Sequence, residues 1–459
     1  MRRRGLSRWI HDWNPNDETF WETRGKRIAR RNLVFSILAE FLGFSVWLLW
    51  SAIAVNLNRA GFDLSVDQLF WLVSLPALVG AAARLPYGAM VSIMGGRNFT
   101  VLSAALLLIP SVSLGVLVQD PTTPYWMLLL SAATAGFGGG NFASSMANIS
   151  FFFPESKKGF ALGLNAAGGN IGVAVVQFLV PAVIGLGILG LGGAAATDVL
   201  SLEWAAWMWV PAIVVAVVCA WFFMDNLAVS RASIKEQATA LRRRHTWIIS
   251  WLYVGTFGSF IGFSAALPLL IKTQFPDVNP LQYAFLGPLV GSIARPFGGW
   301  LADRVGGAIL TVWCFLALMA GTVGVILALD SGSFAIFLAT FLCLFVASGV
   351  GNGSTYRMIP TIFRAERLRH AKPGEEEGAE QEARKEAAAA IAISSAIGAF
   401  GGFFIPKSFG TSISATGGVE AALIAFVAFY VTCLGLTWWC YMRRSVVRRH
   451  RAVLADVRV

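Results

Sequence analysis

Two stretches decide the fold: ARLPYGAMVSIMGG over residues 83–96 and ARPFGGWLADRVGG over residues 294–307. In each, an Ala-Arg pair precedes a Gly-Gly pair, and Arg84 to Gly95 matches Arg295 to Gly306 at eleven residues. A second pair of marks agrees, Gly140-Asn141 and Gly351-Asn352, each on a Gly-rich run leading to an aromatic-Pro exit. The chain is therefore a duplication, and its composition says of what kind.

Of the 459 residues 56% are apolar and only 13% charged, with a mean hydropathy of +0.65. So little charge cannot cover a soluble surface, and uncharged apolar runs of about 20 residues are membrane-span candidates. Disordered, fibrous and disulfide-scaffold classes are excluded. A net charge of +11 would suit nucleic acid, but the basic residues fall between the apolar runs, so no nucleic-acid partner is expected. The lipid bilayer is the partner instead. His11, His245, His370 and His450 all lie in polar tails or connections, and the five cysteines lie in apolar stretches without CxxC spacing. No metal site, cofactor or catalytic group is expected, and without a nucleophile-base pair or phosphate loop the chain does not read as an enzyme.

Windows of apolar residues bounded by charge or turn signals give twelve spans. The fifth is too long for one bilayer and is expected to end near Leu186, leaving GLGILGLGGAAATD as a connection. The fold class is all-α: twelve transmembrane helices in two pseudo-symmetric six-helix bundles. The expected organisation is an N-terminal tail over 1–31, a first bundle over 32–226, a central loop over 227–246, and a second bundle over 247–443. That bundle carries a charged, helix-prone loop over 364–386, and a tail follows over 444–459. Thirty of the 36 Lys and Arg fall in the two tails and the loops after even-numbered spans, which makes both termini cytoplasmic. Two six-span halves of this kind are the plan of a rocking secondary transporter with its site near the midplane.

Arg84 and Arg295 carry the chemistry. Each lies about eight to ten residues from the cytosolic end of its span, roughly 12 to 15 Å deep at about 1.5 Å per residue, near the middle of a core about 30 Å thick. An Arg there costs roughly 2.5 to 3.5 kcal/mol on insertion scales, so two at matched positions need a reason. Glu40 is the only acid well inside a span, and one carboxylate cannot neutralise two guanidiniums. The missing counter-charge reads most simply as an anionic substrate. The planar fork of Arg fits a small flat oxyanion.

Other spans supply matching parts. Tyr253 and Phe257 are four apart and share a helical face, and Phe44 and Phe142 can close a slot around a flat ion; plain packing is the bland reading for all four. Asn141, Ser144, Ser145 and Asn148 form one polar stripe, which lines a cavity or glues helices. Span five has glycines at Gly163, Gly168 and Gly169, and span eleven repeats the theme at Gly398, Gly401 and Gly402, so helices can approach closely. Asn165 and Asn170 must find partners in lipid, and about 140° apart only one of them faces a pore.

These strings, GGGNFASSMANISFFFP, ALGLNAAGGNIG and AIGAFGGFFIP together with Arg84 and Arg295, resemble the nitrate/nitrite porter family (NarK type) of the major facilitator superfamily, over nearly the whole chain from Asn32 to Arg443. The resemblance implies a bacterial inner-membrane carrier of nitrate and nitrite, working by alternating access without ATP; the chain is expected to function as a monomer. It implies that Arg84 and Arg295 clasp the anion, that Phe142, Tyr253 and Phe257 sandwich it, and that Asn170 contacts it. Spans five and eleven then correspond to the family's signature segments. GGWLADRVGG resembles the superfamily's loop motif, in which Asp303 and Arg304 help latch the cytoplasmic side; the first-half stretch GAMVSIMGGR lacks the acid.

Glu40 bears on coupling. A cationic site that binds one monoanion favours obligatory exchange of nitrate for nitrite, whereas a desolvated carboxylate can carry a proton. The segment AEFLGF around Glu40 resembles family members assigned to nitrate/proton symport, and symport is the expectation, with antiport as the alternative and a structural partner of Asn or Arg side chains as the bland reading of Glu40. More distant readings are a carrier of organophosphates or other oxyanions and a non-transporting anion sensor.

Overall fold

The computed structural model of the chain describes residues 8–188, 191–192, 201–230, 240–372 and 374–443. Most of the expected connection after span five, residues 231–239 of the central loop and the tail over 444–459 lie outside the described residues.

Ten helical runs are long and apolar enough to cross a membrane: α1 (Glu18–Ala60), α2 (Val66–Met94), α3 (Gly96–Leu117), α5 (Ser156–Ile184), α6 (Trp204–Phe223), α7 (Arg244–Gln274), α9 (Gly307–Asp330), α10 (Phe334–His370), α11 (Glu376–Thr416) and α12 (Glu420–Met442). Two further long helices, α4 (Tyr125–Phe152) and α8 (Leu286–Val305), bring the described number to the expected twelve. Those two fall short in apolarity because they carry the polar stripe of Asn141 to Asn148 and the Arg295, Asp303 and Arg304 set. Among the described residues the strands are four of two residues each: β1 (Trp9–Ile10), β2 (Gly187–Ile188), β3 (Leu191–Gly192) and β4 (Asn226–Leu227). The architecture is helical throughout the apolar spans, because a bilayer offers no partner for backbone N–H and C=O groups. Large apolar side chains such as Trp126, Phe160, Trp313 and Ile424 point outward, as lipid contact requires.

The chain forms two compact units, Met1–Ser65 with Leu75–Ile234 and Val66–Ser74 with Lys235–Val459. In the first, α1 lies between α4 and α5. Small residues set the spacing: a Cβ added at Gly138 would come within 2.1 Å of the Gly43 carbonyl oxygen, and one at Gly172 within 2.4 Å of the Phe41 carbonyl oxygen. In the second, α7 packs on α10 and α11, and a Cβ at Gly401 would come within 2.4 Å of the Gly258 Cα. The first two turns of α2 belong to this unit, where Trp71 meets Phe403 at 5.8 Å and Asp67 pairs with Lys407.

The duplication persists in the backbone at a constant offset of 211 residues (84 to 295, 140 to 351). Gly95 and Gly306, one offset apart, end α2 and α8 with φ of +86° and +97°, a conformation that favours glycine. Gly80 lies against Gly136, and its counterpart Gly291 lies against Gly349.

The N-terminal segment expected as a tail is partly structured. β1 pairs in parallel with β4, Trp9 with Asn226 and Ile10 with Leu227. Trp13 donates its indole N–H to the Phe151 carbonyl at 2.9 Å, and Ile10, Trp13, Trp21 and Leu33 form one buried cluster with Ile149, Phe152, Phe153 and Leu227. Arg24 donates to Asp12 at 2.7 Å and holds that carboxyl below the usual carboxylate range. Its tryptophans are the reason: Trp13 finds cover on Phe152 at the end of α4, Trp21 on Phe153 just beyond it, and Trp9 on Gly95. Arg31 and Asn32 both donate to Asp225 just beyond α6.

The loop over 364–386 is drawn in by helix extension. α10 runs to His370 and α11 starts at Glu376, and the two are joined by ion pairs of Arg364 with Glu380 and of Arg367 with Glu382 and Glu386. Arg243 donates to the same buried Glu386 at 2.8 Å.

Candidate functional site

In the first unit Arg84, 1% exposed, sits at the centre of an aromatic cage. Its Nε donates to the Gly139 carbonyl at 3.0 Å, and its Cζ lies 4.7 Å from the Phe142 ring centroid and 5.4 Å from that of Trp47. Such a contact contributes about 0.5 to 1 kcal/mol at an exposed site and about 2 kcal/mol when desolvated, as here. Phe44 meets Trp47 edge-on at 5.2 Å and Phe142 at 6.1 Å. Local sequence explains the placement. α1 is interrupted at Leu48 (φ −96°, ψ 5°), and just before the break the Trp47 indole N–H reaches the Pro76 carbonyl at 2.9 Å.

Glu40 is fully buried one turn from Phe44. Ser145 donates to its Oε2, and Asn165 Nδ2 donates to the same oxygen at 2.6 Å and to Ser145 Oγ at 2.8 Å. The polar stripe of α4 therefore glues helices at Ser145. At Asn148 the fit is equally close: a Cβ on Gly96 would fall within 1.8 Å of its Oδ1. Asn141 stands against Gly43, and neither its Nδ2 nor its Oδ1 has a hydrogen-bond partner among the described residues. Asn170 is 1% exposed and its two amide atoms are likewise unsatisfied. A buried amide left this way costs about 1 to 3 kcal/mol, which a polar ligand or ordered water would offset.

In the second unit Arg295, 7% exposed, points Nη2 at Tyr253 Oη, 3.5 Å away, and its Cζ lies 5.8 Å from the Tyr356 ring centroid. Tyr253 and Phe257 stack at 5.3 Å with planes 17° apart. The turn between them, Val254–Gly258, is wound as a π-helix, a local widening frequent at functional sites. Gly398 makes room for the stack, since a Cβ there would come within 2.5 Å of the Tyr253 ring. Asn352, one offset from Asn141, is also buried with both amide atoms unsatisfied.

The expected residues thus gather in two groups, Arg84, Phe44 and Phe142 in one unit and Arg295, Tyr253 and Phe257 in the other. Glu40 and Asn165 are joined to each other through the Asn165 amide. Gly168 lies under Ile37 and Gly169 under Glu40, Gly402 is buried on α11, and Gly163 meets nothing within 4 Å. At the end of α8, Asp303 pairs with Arg357, and Arg304 lies 3.9 Å over Trp300. Sequence reasoning missed Trp47 and Tyr356. The signal was there, since Trp47 is three residues from Phe44 and Tyr356 four from Asn352, on the same helical faces.

Comparison with known proteins agrees with this architecture. The profile of the Major Facilitator Superfamily matches residues 35–371. The chain is 49% identical over 446 residues to the nitrate/nitrite transporter NarU of Salmonella typhimurium, a match covering 95% of this chain and 96% of that protein. It is 37% identical to the probable nitrate/nitrite antiporter NarK2 of Thermus thermophilus, over 97% of this chain and 99% of that one. Among solved structures, the D-xylose-proton symporter superposes with a TM-score of 0.66 at 14% identity, covering 90% of this chain and 97% of that one, a likeness of fold.

Proposed function

The chain belongs to the nitrate/nitrite porter family of the major facilitator superfamily, and from that premise we propose that it carries nitrate, and nitrite with it, across the bacterial inner membrane by alternating access, with both termini cytoplasmic. The observation that carries this reading is the pair of repeat-related arginines, buried at matched positions and each set among aromatic rings. Arg84 and Arg295 are the anion's ligands. Their planar forks match a planar trigonal oxyanion, with Phe142 and the Tyr253 and Phe257 stack as flat walls and Asn170 as an amide donor.

Coupling is to protons, with Glu40 as the carrier. Two arginines alone would leave the empty carrier with two positive charges in a low-dielectric core. An ionised Glu40 reduces that excess and eases the return of the empty carrier, a step that symport needs and exchange does not. One proton then enters with one nitrate, so the pair moves as a neutral unit.

The test is nitrate influx into liposomes containing the purified protein. An inward proton gradient is expected to drive accumulation, with no net charge moved, and Glu40→Gln to abolish the drive. Undiminished uptake in Glu40→Gln that requires internal nitrite rejects symport and leaves the antiport reading. Failure of labelled nitrate to enter or exchange under any gradient rejects transport.

A further inference from the structure

Glu40 lies in a constructed setting. Ser145 on α4 and Asn165 on α5 both donate to Oε2, and Asn165 also donates to Ser145, so three side chains from three helices close one small cycle. The other oxygen faces α5: a Cβ on Gly169 would come within 2.6 Å of Oε1. Asn165 and Gly169 are four apart, so the carboxylate rests on one face of α5 through both its oxygens. The residue after Gly169 is Asn170, buried with both amide atoms unsatisfied.

From α4 and α5 the carboxylate accepts the Ser145 hydroxyl and the Asn165 amide at Oε2. Ser145 and Asn165 both act as hydrogen-bond donors to this oxygen. An amide NH2 cannot accept, so a proton added at Oε2 would compete with the Asn165 contact, and one added at Oε1 would put an O–H against the α5 backbone at Gly169. Either way the seating of α5 on Glu40 changes, one residue from Asn170.

We propose that Ser145 and Asn165 are positioning residues that hold Glu40 against α5, and that the protonation state of Glu40 is transmitted to anion binding through Gly169 and Asn170. The carboxylate takes up one proton with the anion and releases it with the anion, and no other bond is made or broken. This rests on the reading of Glu40 as the proton site given above.

The experiment compares two fluxes in the same liposomes, proton-driven nitrate accumulation and nitrate counterflow without a gradient. Counterflow reports anion binding and reorientation; accumulation also reports coupling. Ser145→Ala and Asn165→Ala are each expected to lower accumulation about tenfold, the effect of one lost charge-assisted hydrogen bond, with counterflow within about twofold of wild type. Ser145→Thr, which keeps the hydroxyl, is expected to restore accumulation. Equal loss of both fluxes in Ser145→Ala overturns the proposal, because a merely structural contact would give that result. Wild-type accumulation in both variants overturns it too. If Asn165→Ala does not fold, Ser145→Ala with its Thr rescue decides alone. A wild-type protein that ignores the gradient overturns the symport reading and this proposal with it, and is told apart because the failure appears before any substitution.

Discussion

Asp303 of α8 is paired with Arg357 of α10, and the residues 211 positions earlier, Ser92 and Met146, are both neutral. The charge pair of the second repeat thus has no counterpart in the first; both partners are missing together. Both side chains are about half exposed, so the pair contributes little to stability, about 0 to 1 kcal/mol. Its effect should appear in transport. Asp303→Asn is expected to leave thermal unfolding of the purified protein unchanged while lowering nitrate uptake several-fold, on the order of tenfold at most. The swapped pair Asp303→Arg with Arg357→Asp should recover part of it.

Where that pair is absent, the first unit has the N-terminal strap. A Cβ on Gly95, in the loop that follows Ser92, would fall within 2.4 Å of Asn226 Oδ1 and 2.8 Å of the Trp9 ring. The strap's anchor is Trp13, 7% exposed, edge-on to Phe20 at 5.2 Å and to Phe152 at 5.5 Å, with its indole N–H bonded to Phe151. Trp13→Ala is expected to lower stability by about 3 kcal/mol, as for other buried aromatic truncations. Thermal unfolding in detergent and faster protease cleavage before Glu18 should both report it.

The twelve helices and the repeat were legible because bilayer thickness and the eleven-residue Arg-to-Gly spacing are one-dimensional signals. Arg84, Arg295 and Glu40 were legible for a related reason: a charge in an apolar run is costly wherever the chain goes. What holds those charges was not. That Asn165 rather than Asn170 reaches Glu40, and that Trp47 covers Arg84, depend on helix rotation and on the break at Leu48. The N-terminal strap was hidden because its tryptophans lie in a charged stretch whose average reads as a tail.

The signature glycines are not equivalent. Alanine at Gly163 meets open space, whereas at Gly401 it would meet the Gly258 backbone and at Gly169 the Glu40 carboxylate. Gly163→Ala is therefore expected to leave thermal stability unchanged or raise it by up to about 1 kcal/mol, since alanine is the better helix former. Gly401→Ala, facing backbone that cannot swing aside, should lower it by about 1 to 3 kcal/mol. Equal melting temperatures for the two variants would remove close helix approach as the reason for the glycines on α11.

Trp47 offers a separation of charge from geometry at Arg84. Lysine at position 84 keeps the charge but loses the fork and the Nε–H that reaches Gly139, so Arg84→Lys should fold normally and lose nitrate uptake. Trp47→Phe keeps an aromatic face for the guanidinium but removes the indole N–H that reaches Pro76. The cation then sits over a weaker, less fixed ring, and a loss of about 1 kcal/mol corresponds to a rise of about fivefold in nitrate KM. The maximal rate should change less, because the guanidinium itself is intact. Should Trp47→Phe instead halt turnover at unchanged KM, the ring would be acting on the movement of α1 about Leu48 rather than on the arginine.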